Sequence, residues 1–123
     1  MPRPELFLVE LRTRDRAALA AWYADALGMG VLLDDPAGDF SLLAAGRTRL
    51  AIQGGRDEPA SGSVLLMFLV DDVDAERTGL RARGVAVSAP EDSPEGYRAV
   101  RLADPAGHPI RLFQWVGPPP AGI

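Results

Sequence analysis

One order of predicted segments occurs twice along the 123-residue chain, and this repeat constrains the fold more than any other feature. In the first copy, apolar and polar residues alternate over residues 6–13, which predicts a strand. Asp15 then occupies the N-cap position of a predicted helix over residues 16–27, which Gly28 ends. Short strands are predicted over residues 31–34, 40–44 and 48–53.

The second copy follows a polar, glycine-rich segment that has no periodicity. Residues 64–70 form an apolar run typical of a strand, Asp72 is a predicted N-cap, and its helix is predicted to end near Arg83. Further strands are predicted over residues 85–88, 97–103 and 109–115, with a loop over 89–96 and a hairpin turn over 104–107.

A repeated unit of about 50 residues cannot bury its sheet alone and is expected to pair with its copy. We therefore predict the α+β fold class, with a single domain over residues 1–123 that contains two βαβββ modules. The modules are predicted over residues 5–54 and 64–116, with a linker over 55–63 and a flexible tail over 117–123. The alternative is an α+β domain whose halves are similar by chance.

Composition excludes several kinds of site. All 13 basic residues are arginines, and the chain has no lysine, no cysteine and a single histidine, His108. These absences exclude a Schiff-base lysine, a cysteine nucleophile, a disulfide and a thiolate metal site in this chain. A site that needs two histidines is excluded for the same reason.

The net charge of −4 and the dispersed arginines argue against nucleic acid and anionic membranes as partners. The first residues lack the basic region and long apolar run of a signal peptide. The longest apolar stretch, residues 64–70, is too short to cross a bilayer. We therefore expect a soluble, cytoplasmic protein that binds neither nucleic acid nor membrane.

Three motifs, in their order and spacing, carry a family resemblance. The first links the strand before Asp15 to the segments AWY at 21–23 and LGM at 27–29. The second is FLVDDVD at 68–74 followed by Gly84-Val85, and the third is DPAGHPIRL at 104–112. This arrangement resembles the vicinal-oxygen-chelate superfamily of glyoxalase I, bleomycin-resistance proteins and extradiol dioxygenases. The resemblance implies two modules that pair into a curved, cup-shaped mixed sheet with the helices outside, commonly in a homodimer.

The resemblance also indicates where metal-dependent members of the superfamily hold their ion. The corresponding positions here are Leu8, Ala51, Leu65 and Arg111, which are three apolar or small side chains and one cation. None of these side chains is a ligand for a divalent ion. The resemblance therefore implies a metal-free member without a cofactor. His108 is expected to be an exposed turn residue rather than a metal ligand.

Strand alternation predicts that the cup has an apolar and aromatic lining with a few polar anchors. The predicted ligand-binding residues are Glu10, Phe40, Gln53, Met67, Arg101, Arg111, Phe113 and Trp115. Trp115 and Phe113 are expected to stack on a planar ligand, or alternatively to pack against the other module or a second subunit. Glu10 is expected to pair with Arg101 or Arg111, either as a structural ion pair or as a polar handle for the ligand.

Three functions are consistent with the sequence. The first is a metal-free protein of the bleomycin-resistance type that sequesters a hydrophobic or aromatic small molecule, such as an antibiotic. The second is a metal-dependent lyase, isomerase or dioxygenase, for which a two-residue shift would bring Glu10 or Gln53 to a ligand position but still leave too few ligands. The third is a non-binding dimeric scaffold or regulatory module. No catalytic residue is predicted, because Glu10 as a general base would lack a second catalytic partner.

Overall fold

The computed structural model describes residues 3, 5–55 and 64–122, and the predicted order of elements occurs in it twice. The chain divides into two compact units, residues 1–60 and 61–123, with one βαβββ module in each. This confirms the predicted fold class. Except for Gly55, the predicted linker lies outside the described residues.

The first module comprises β1 (Val9–Arg12), α1 (Arg16–Ala26), β2 (Val31–Asp35), β3 (Phe40–Ala45) and β4 (Thr48–Gln53). The second comprises β5 (Leu66–Leu69), α2 (Val73–Ala82), β6 (Glu91–Asp92), β7 (Tyr97–Ala103) and β8 (Pro109–Trp115).

Each module has an open four-stranded sheet, and the two sheets share one topology. The strand order is β1-β4-β3-β2 in the first sheet and β5-β8-β7-β6 in the second. The first strand of each module runs parallel to the last strand, and the other neighbours are antiparallel. The registers also correspond, because Glu10 lies opposite Ala51 just as Met67 lies opposite Arg111. The two modules are therefore structural repeats down to the pairing of individual residues.

Capping aspartates begin both helices, as predicted. The carboxylate of Asp15 accepts a hydrogen bond from the N–H of Ala18, and that of Asp72 accepts one from Ala75, both at 3.1 Å. An N-cap of this kind contributes about 1 kcal/mol to stability. After α1 the chain reverses at Gly28, whose φ of +67° is unstrained only for glycine.

The helix of each module covers one side of its sheet. In the first module, α1 packs on β3 and β4, and Leu19 and Tyr23 of the helix are buried together with Leu43 and Ile52 of these strands. In the second module, α2 packs on β7 and β8 and buries Val73 and Leu80. The core of each module therefore lies between its helix and one face of its sheet.

The other side of each sheet is identified by strand alternation. On β8, Ile110 and Leu112 are each about 1% exposed on the side that packs under α2. Arg111, Phe113 and Trp115 alternate with them and so project from the opposite side. We call the side of each sheet that its own helix does not cover the helix-free face.

One predicted strand is wrong. Residues 85–90 contain no strand, and the edge strand β6 lies at Glu91–Asp92, inside the predicted loop. Ser88 accounts for the difference, because the Arg101 N–H donates to its Oγ at 2.8 Å rather than to a backbone carbonyl. Its own N–H donates to the Arg101 carbonyl at 2.9 Å. A side chain therefore replaces one hydrogen bond of the ladder, and Pro90 has no N–H to extend the ladder.

An ion cluster around the buried Arg16 joins the start of α1 to the β2–β3 hairpin, and sequence reasoning did not predict it. Arg16, which is 8% exposed, contacts the carboxylate of Asp34 and donates to Ser41 Oγ at 2.7 Å. Its Nε donates to Asp39 Oδ1 at 3.0 Å. This last hydrogen bond raises the pKa of Arg16, with Asp34 adding to the effect and burial opposing it. The second module has the apolar Val73 at the corresponding helix position, so the cluster distinguishes the first module.

The two helices have 11 and 10 residues, and no helix in the described part of the chain is long and apolar enough to cross a membrane. Residues 117–122 of the predicted tail contain neither helix nor strand.

Candidate ligand-binding site

Five of the predicted ligand-binding residues share the helix-free face of the second sheet: Met67, Arg101, Arg111, Phe113 and Trp115. The strand registers make most of them direct neighbours. Arg111 on β8 lies between Met67 on β5 and Arg101 on β7, each of which is directly opposite it in the strand register. Phe113 and Trp115 follow Arg111 on the same face of β8. The structure therefore brings these five residues together on one surface.

Phe113 and Trp115 form an aromatic cluster with Tyr97, which sequence reasoning missed. The ring centroids of Phe113 and Trp115 are 5.4 Å apart. The ring centroid of Tyr97 lies 5.5 Å from that of Phe113 and 6.1 Å from that of Trp115. All three pairs have the edge-to-face geometry that aromatic rings favour. Tyr97 alternates in phase with Arg101 on β7, so the rule that found Arg101 could also have found Tyr97. We call Tyr97, Phe113 and Trp115 the aromatic triad.

A cavity of about 240 Å³ adjoins the triad within the second module. Tyr97 belongs to both the triad and the cavity wall. Ala99 lies between Tyr97 and Arg101 on the same face of β7, and its small side chain leaves room that a longer one would fill. The lining residues are Glu91, Asp92, Ser93, Pro94, Tyr97, Ala99, Arg101 and Arg111.

The two arginines of this cavity differ in their partners. Arg101 Nη2 lies 3.2 Å from Glu91 Oε1, and both side chains are exposed. Arg111 is half-buried and has no hydrogen-bond or ion-pair partner among residues 3, 5–55 and 64–122. Asp92 also lines the cavity, but its carboxylate pairs with Arg98 at 3.3 Å. Arg111 is therefore the arginine of this site whose guanidinium is available to a ligand.

The other three predicted residues lie on the helix-free face of the first sheet. Phe40 on β3 lies opposite Gln53 on β4, and Gln53 Nε2 donates to the carbonyl of Asp39 at 3.2 Å. Gln53 therefore fixes the turn between β2 and β3. Glu10 accepts a hydrogen bond from Arg12 Nε at 3.2 Å, and its expected pairing with Arg101 or Arg111 stays a prediction. Arg12 is two residues away on the same face of the strand and needs no long-range contact to reach Glu10.

The positions that correspond to metal ligands do not fit a metal ion. The shared register makes Ala51 equivalent to Arg111, and Leu8 and Leu65 precede equivalent strand residues by the same interval. Alkyl side chains offer no ligand atom, and a guanidinium repels a divalent cation. In addition, the described parts of the chain contain no group of three or more His, Asp or Glu side chains that could hold a metal.

His108 is not the exposed turn residue that we expected. Its side chain is 13% exposed, and Nδ1 lies 2.7 Å from Asp104 Oδ2. The other carboxylate oxygen of Asp104 accepts hydrogen bonds from the N–H groups of Ala106 and His108. These interactions hold the β7–β8 turn, which explains why the ring is buried. His108 Nε2 is also buried and has no hydrogen-bond partner within the described residues.

Comparison with known families agrees with the repeated modules and their sheet order. The family described as the glyoxalase-like domain matches residues 8–113. The chain therefore belongs to the glyoxalase-like domain family. No match was found among curated protein sequences.

Solved structures with the same fold differ in the function that is stated for them. TnmS3, an antibiotic binding protein from Streptomyces sp. CB03234, is 28% identical with a TM-score of 0.80, over 94% of this chain and 98% of TnmS3. A lactoylglutathione lyase from Agrobacterium tumefaciens is 25% identical with a TM-score of 0.77, over 93% and 96%. A glyoxalase/bleomycin resistance protein/dioxygenase from Nocardioides, 24% identical with a TM-score of 0.80 over 100% and 91%, supports the fold alone.

Proposed function

We propose that this protein sequesters an aromatic or hydrophobic small molecule, such as an antibiotic, without a metal ion and without chemistry. The observation that carries the proposal is the aromatic triad beside a cavity that contains two arginines. Ligand sites are concave, rich in apolar and aromatic side chains, and supplied with a few polar groups. The helix-free face of the second sheet combines these properties.

Exposed apolar side chains next to the triad support the same conclusion. Met67 is 40% exposed, and Leu69, which lies opposite Phe113, is 61% exposed. Removing apolar surface from water contributes about 25 cal/mol per Å². Binding of a ligand that covers these side chains together with the triad is therefore stabilised by the hydrophobic effect. The flexible Met67 suits a surface that adapts to ligands of different shape.

The similar structures support binding and also define the main alternative. TnmS3 is described as an antibiotic binding protein, which supports an antibiotic as the ligand class for this chain. The lactoylglutathione lyase supports the alternative of a metal-dependent lyase, isomerase or dioxygenase. That alternative needs metal ligands, whereas the corresponding positions carry Leu8, Ala51, Leu65 and Arg111. We therefore place binding first.

Binding is tested by titrating the protein with a panel of aromatic antibiotics. The chain has two tryptophans, so Trp22→Phe leaves Trp115 as the fluorescent reporter. We expect saturable changes in the emission of Trp115 when a ligand binds. We expect calorimetry to show that Phe113→Ala lowers the affinity about tenfold, because stacking on that ring is removed. Phe7→Ala, which removes an exposed aromatic ring of the first module, is the matched control. If Phe113→Ala and Trp115→Ala bind every responding compound as tightly as the parent, the proposed site is wrong.

Two further measurements separate the alternatives. Protein purified without chelator is expected to carry no stoichiometric metal, and stoichiometric bound metal would favour the enzyme. We also propose a homodimer, which sedimentation velocity measures directly. A dimer that binds no compound of the panel would favour the scaffold or regulatory module.

A further inference from the structure

We propose that the ligand is an aromatic monoanion, of which an aromatic carboxylate is the simplest case, and that Arg111 binds its charged group. This inference rests on the proposed function, because it concerns the same face of the second sheet. It adds a chemical class to the ligand and a specific role to one residue.

Arg111 lies in the middle of β8, between two strands that offer it no acidic partner. The residue opposite on β5 is Met67, and the residue opposite on β7 is Arg101. Within the described residues Arg111 makes no hydrogen bond and no ion pair. A half-buried guanidinium loses hydration, and within the described residues no hydrogen bond or ion pair compensates for that loss. An incoming carboxylate would supply two hydrogen bonds to the fork of this guanidinium.

The charges around the cavity indicate a single negative charge on the ligand. Arg101 pairs with Glu91, and Asp92 shares Arg98 with Asp74, whose carboxylate lies closer to that guanidinium. Among the described residues that line the cavity, Arg111 is the charged side chain without a partner of opposite sign, even though the chain as a whole carries a net charge of −4. One free guanidinium matches one carboxylate, whereas a phosphate dianion would need further positive charge. A cationic ligand would meet repulsion from the unpaired Arg111.

The aromatic part of the inference comes from the spacing on β8. Phe113 is two residues from Arg111 on the same face, which is a separation of roughly 7 Å along the strand. Tyr97 lines the cavity together with Arg111 and contacts the ring of Phe113. A planar acid with its carboxylate on Arg111 therefore extends its rings towards the triad. The cavity of about 240 Å³ is smaller than most whole-ligand sites, which supports the burial of one end of a larger molecule.

The experiment compares acids with their neutral amides. The probes are anthracene-2-carboxylate with anthracene-2-carboxamide and 2-naphthoate with 2-naphthamide, titrated by calorimetry and by Trp115 emission in the Trp22→Phe background. We expect each acid to bind at least about tenfold more tightly than its amide, because the acid gains a hydrogen-bonded charge pair with Arg111. We expect Arg111→Gln to abolish this preference and Arg111→Lys to retain part of it, since lysine keeps the charge but not the fork.

Arg81→Gln is the matched control, because it removes the same charge from an exposed position in the last turn of α2. It is expected to leave the preference for the acid unchanged. Equal binding of acid and amide by the parent protein, or an undiminished preference in Arg111→Gln, would overturn the inference while the proposed function stands. If none of the four probes binds, the inference is overturned as well, and the antibiotic panel then judges the proposed function separately.

Discussion

Arg101 and Arg111 lie directly opposite each other on β7 and β8, with both side chains on the helix-free face of the second sheet. Arg101 is paired with Glu91, whereas Arg111 has no partner in the described part of the chain. Like charges at opposite positions of a ladder destabilise it. This pair of like charges is therefore expected to oppose the stability of the sheet.

We expect Arg111→Gln to raise the free energy of unfolding by about 0.2–1 kcal/mol, because the repulsion from Arg101 is removed. Urea denaturation measures this difference, and the gain should shrink in about 1 M salt, where charges are screened over roughly 3 Å. Arg81→Gln provides the contrast. It removes a cation from the last turn of α2 and should lower stability by about 0.3–1 kcal/mol. A loss of stability in Arg111→Gln would mean that Arg111 supports the fold.

Replacing Arg16 by methionine is expected to lower the free energy of unfolding by about 2 kcal/mol, because Asp34 and Asp39 lose their counter-ion. The value lies below that for a fully buried pair, since the two carboxylates are about half exposed. Chemical denaturation measures the change, with Arg47→Met at the exposed β3–β4 turn as the control. Equal stabilities of the two variants would contradict a stabilising role for the cluster.

Gly54 adjoins the same cluster, and its replacement by alanine tests how firmly Asp39 is held. A Cβ atom at Gly54 would clash with the carboxylate of Asp39, which would have to shift from its position beside Arg16. We expect Gly54→Ala to cost about 1–3 kcal/mol. The cost should fall by at least about 0.5 kcal/mol in an Arg16→Met background, because the lost contact is shared.

Gly79→Ala is the control for that substitution. Gly79 lies within α2 and has open space around it, so alanine should stabilise the protein by about 0.5–1 kcal/mol. Additive effects of Gly54→Ala and Arg16→Met in a double-mutant cycle would indicate that Asp39 moves without disturbing the ion cluster.

The ion pair between Asp74 and Arg98 makes the stability of the protein depend on pH in the acidic range. Its Oδ1 lies 3.0 Å from Arg98 Nη2, and this hydrogen-bonded pair lowers the pKa of Asp74 below its ordinary value of 3.8. The resulting stabilisation is complete above that value and is lost as the pH falls through the lower pKa of the folded state. We therefore expect stability to decrease less steeply with acid in Asp74→Asn than in the parent, measured by denaturation between about pH 2 and 5. Arg98→Gln should flatten the curve in the same way, and parallel curves for parent and Asp74→Asn would contradict this account.

Local periodicity was sufficient to predict most of the fold. The bounds of β4, β7 and β8 agree with their predicted ranges, and both capping aspartates begin their helices. Alternation along β8 also placed Arg111 and Phe113 on one face correctly, because a side chain's direction in a strand depends on its neighbours in sequence. These features need no knowledge of distant contacts.

Features that depend on distant contacts were not predicted. Arg16 reaches carboxylates that lie 18 and 23 residues away, and no local pattern indicates such a pairing. The predicted strand at residues 85–88 is wrong because Ser88 Oγ, rather than a backbone carbonyl, accepts the hydrogen bond from the Arg101 N–H. Hydrophobic periodicity gives no indication of such a side-chain hydrogen bond. The burial of His108 likewise depends on the carboxylate of Asp104 within a particular turn geometry.

Strand β8 has a consequence for how ligand preference can change. Ile110 and Leu112 are buried under α2, whereas Arg111 and Phe113 alternate with them on the opposite face. Adjacent residues of one strand therefore have separate roles, with one set in the core and the other on the proposed ligand-binding face. Randomising the helix-free positions of β7 and β8 should yield a library of folded proteins with new specificities. Under the proposed function, the same separation would let ligand preference change without disturbing the core.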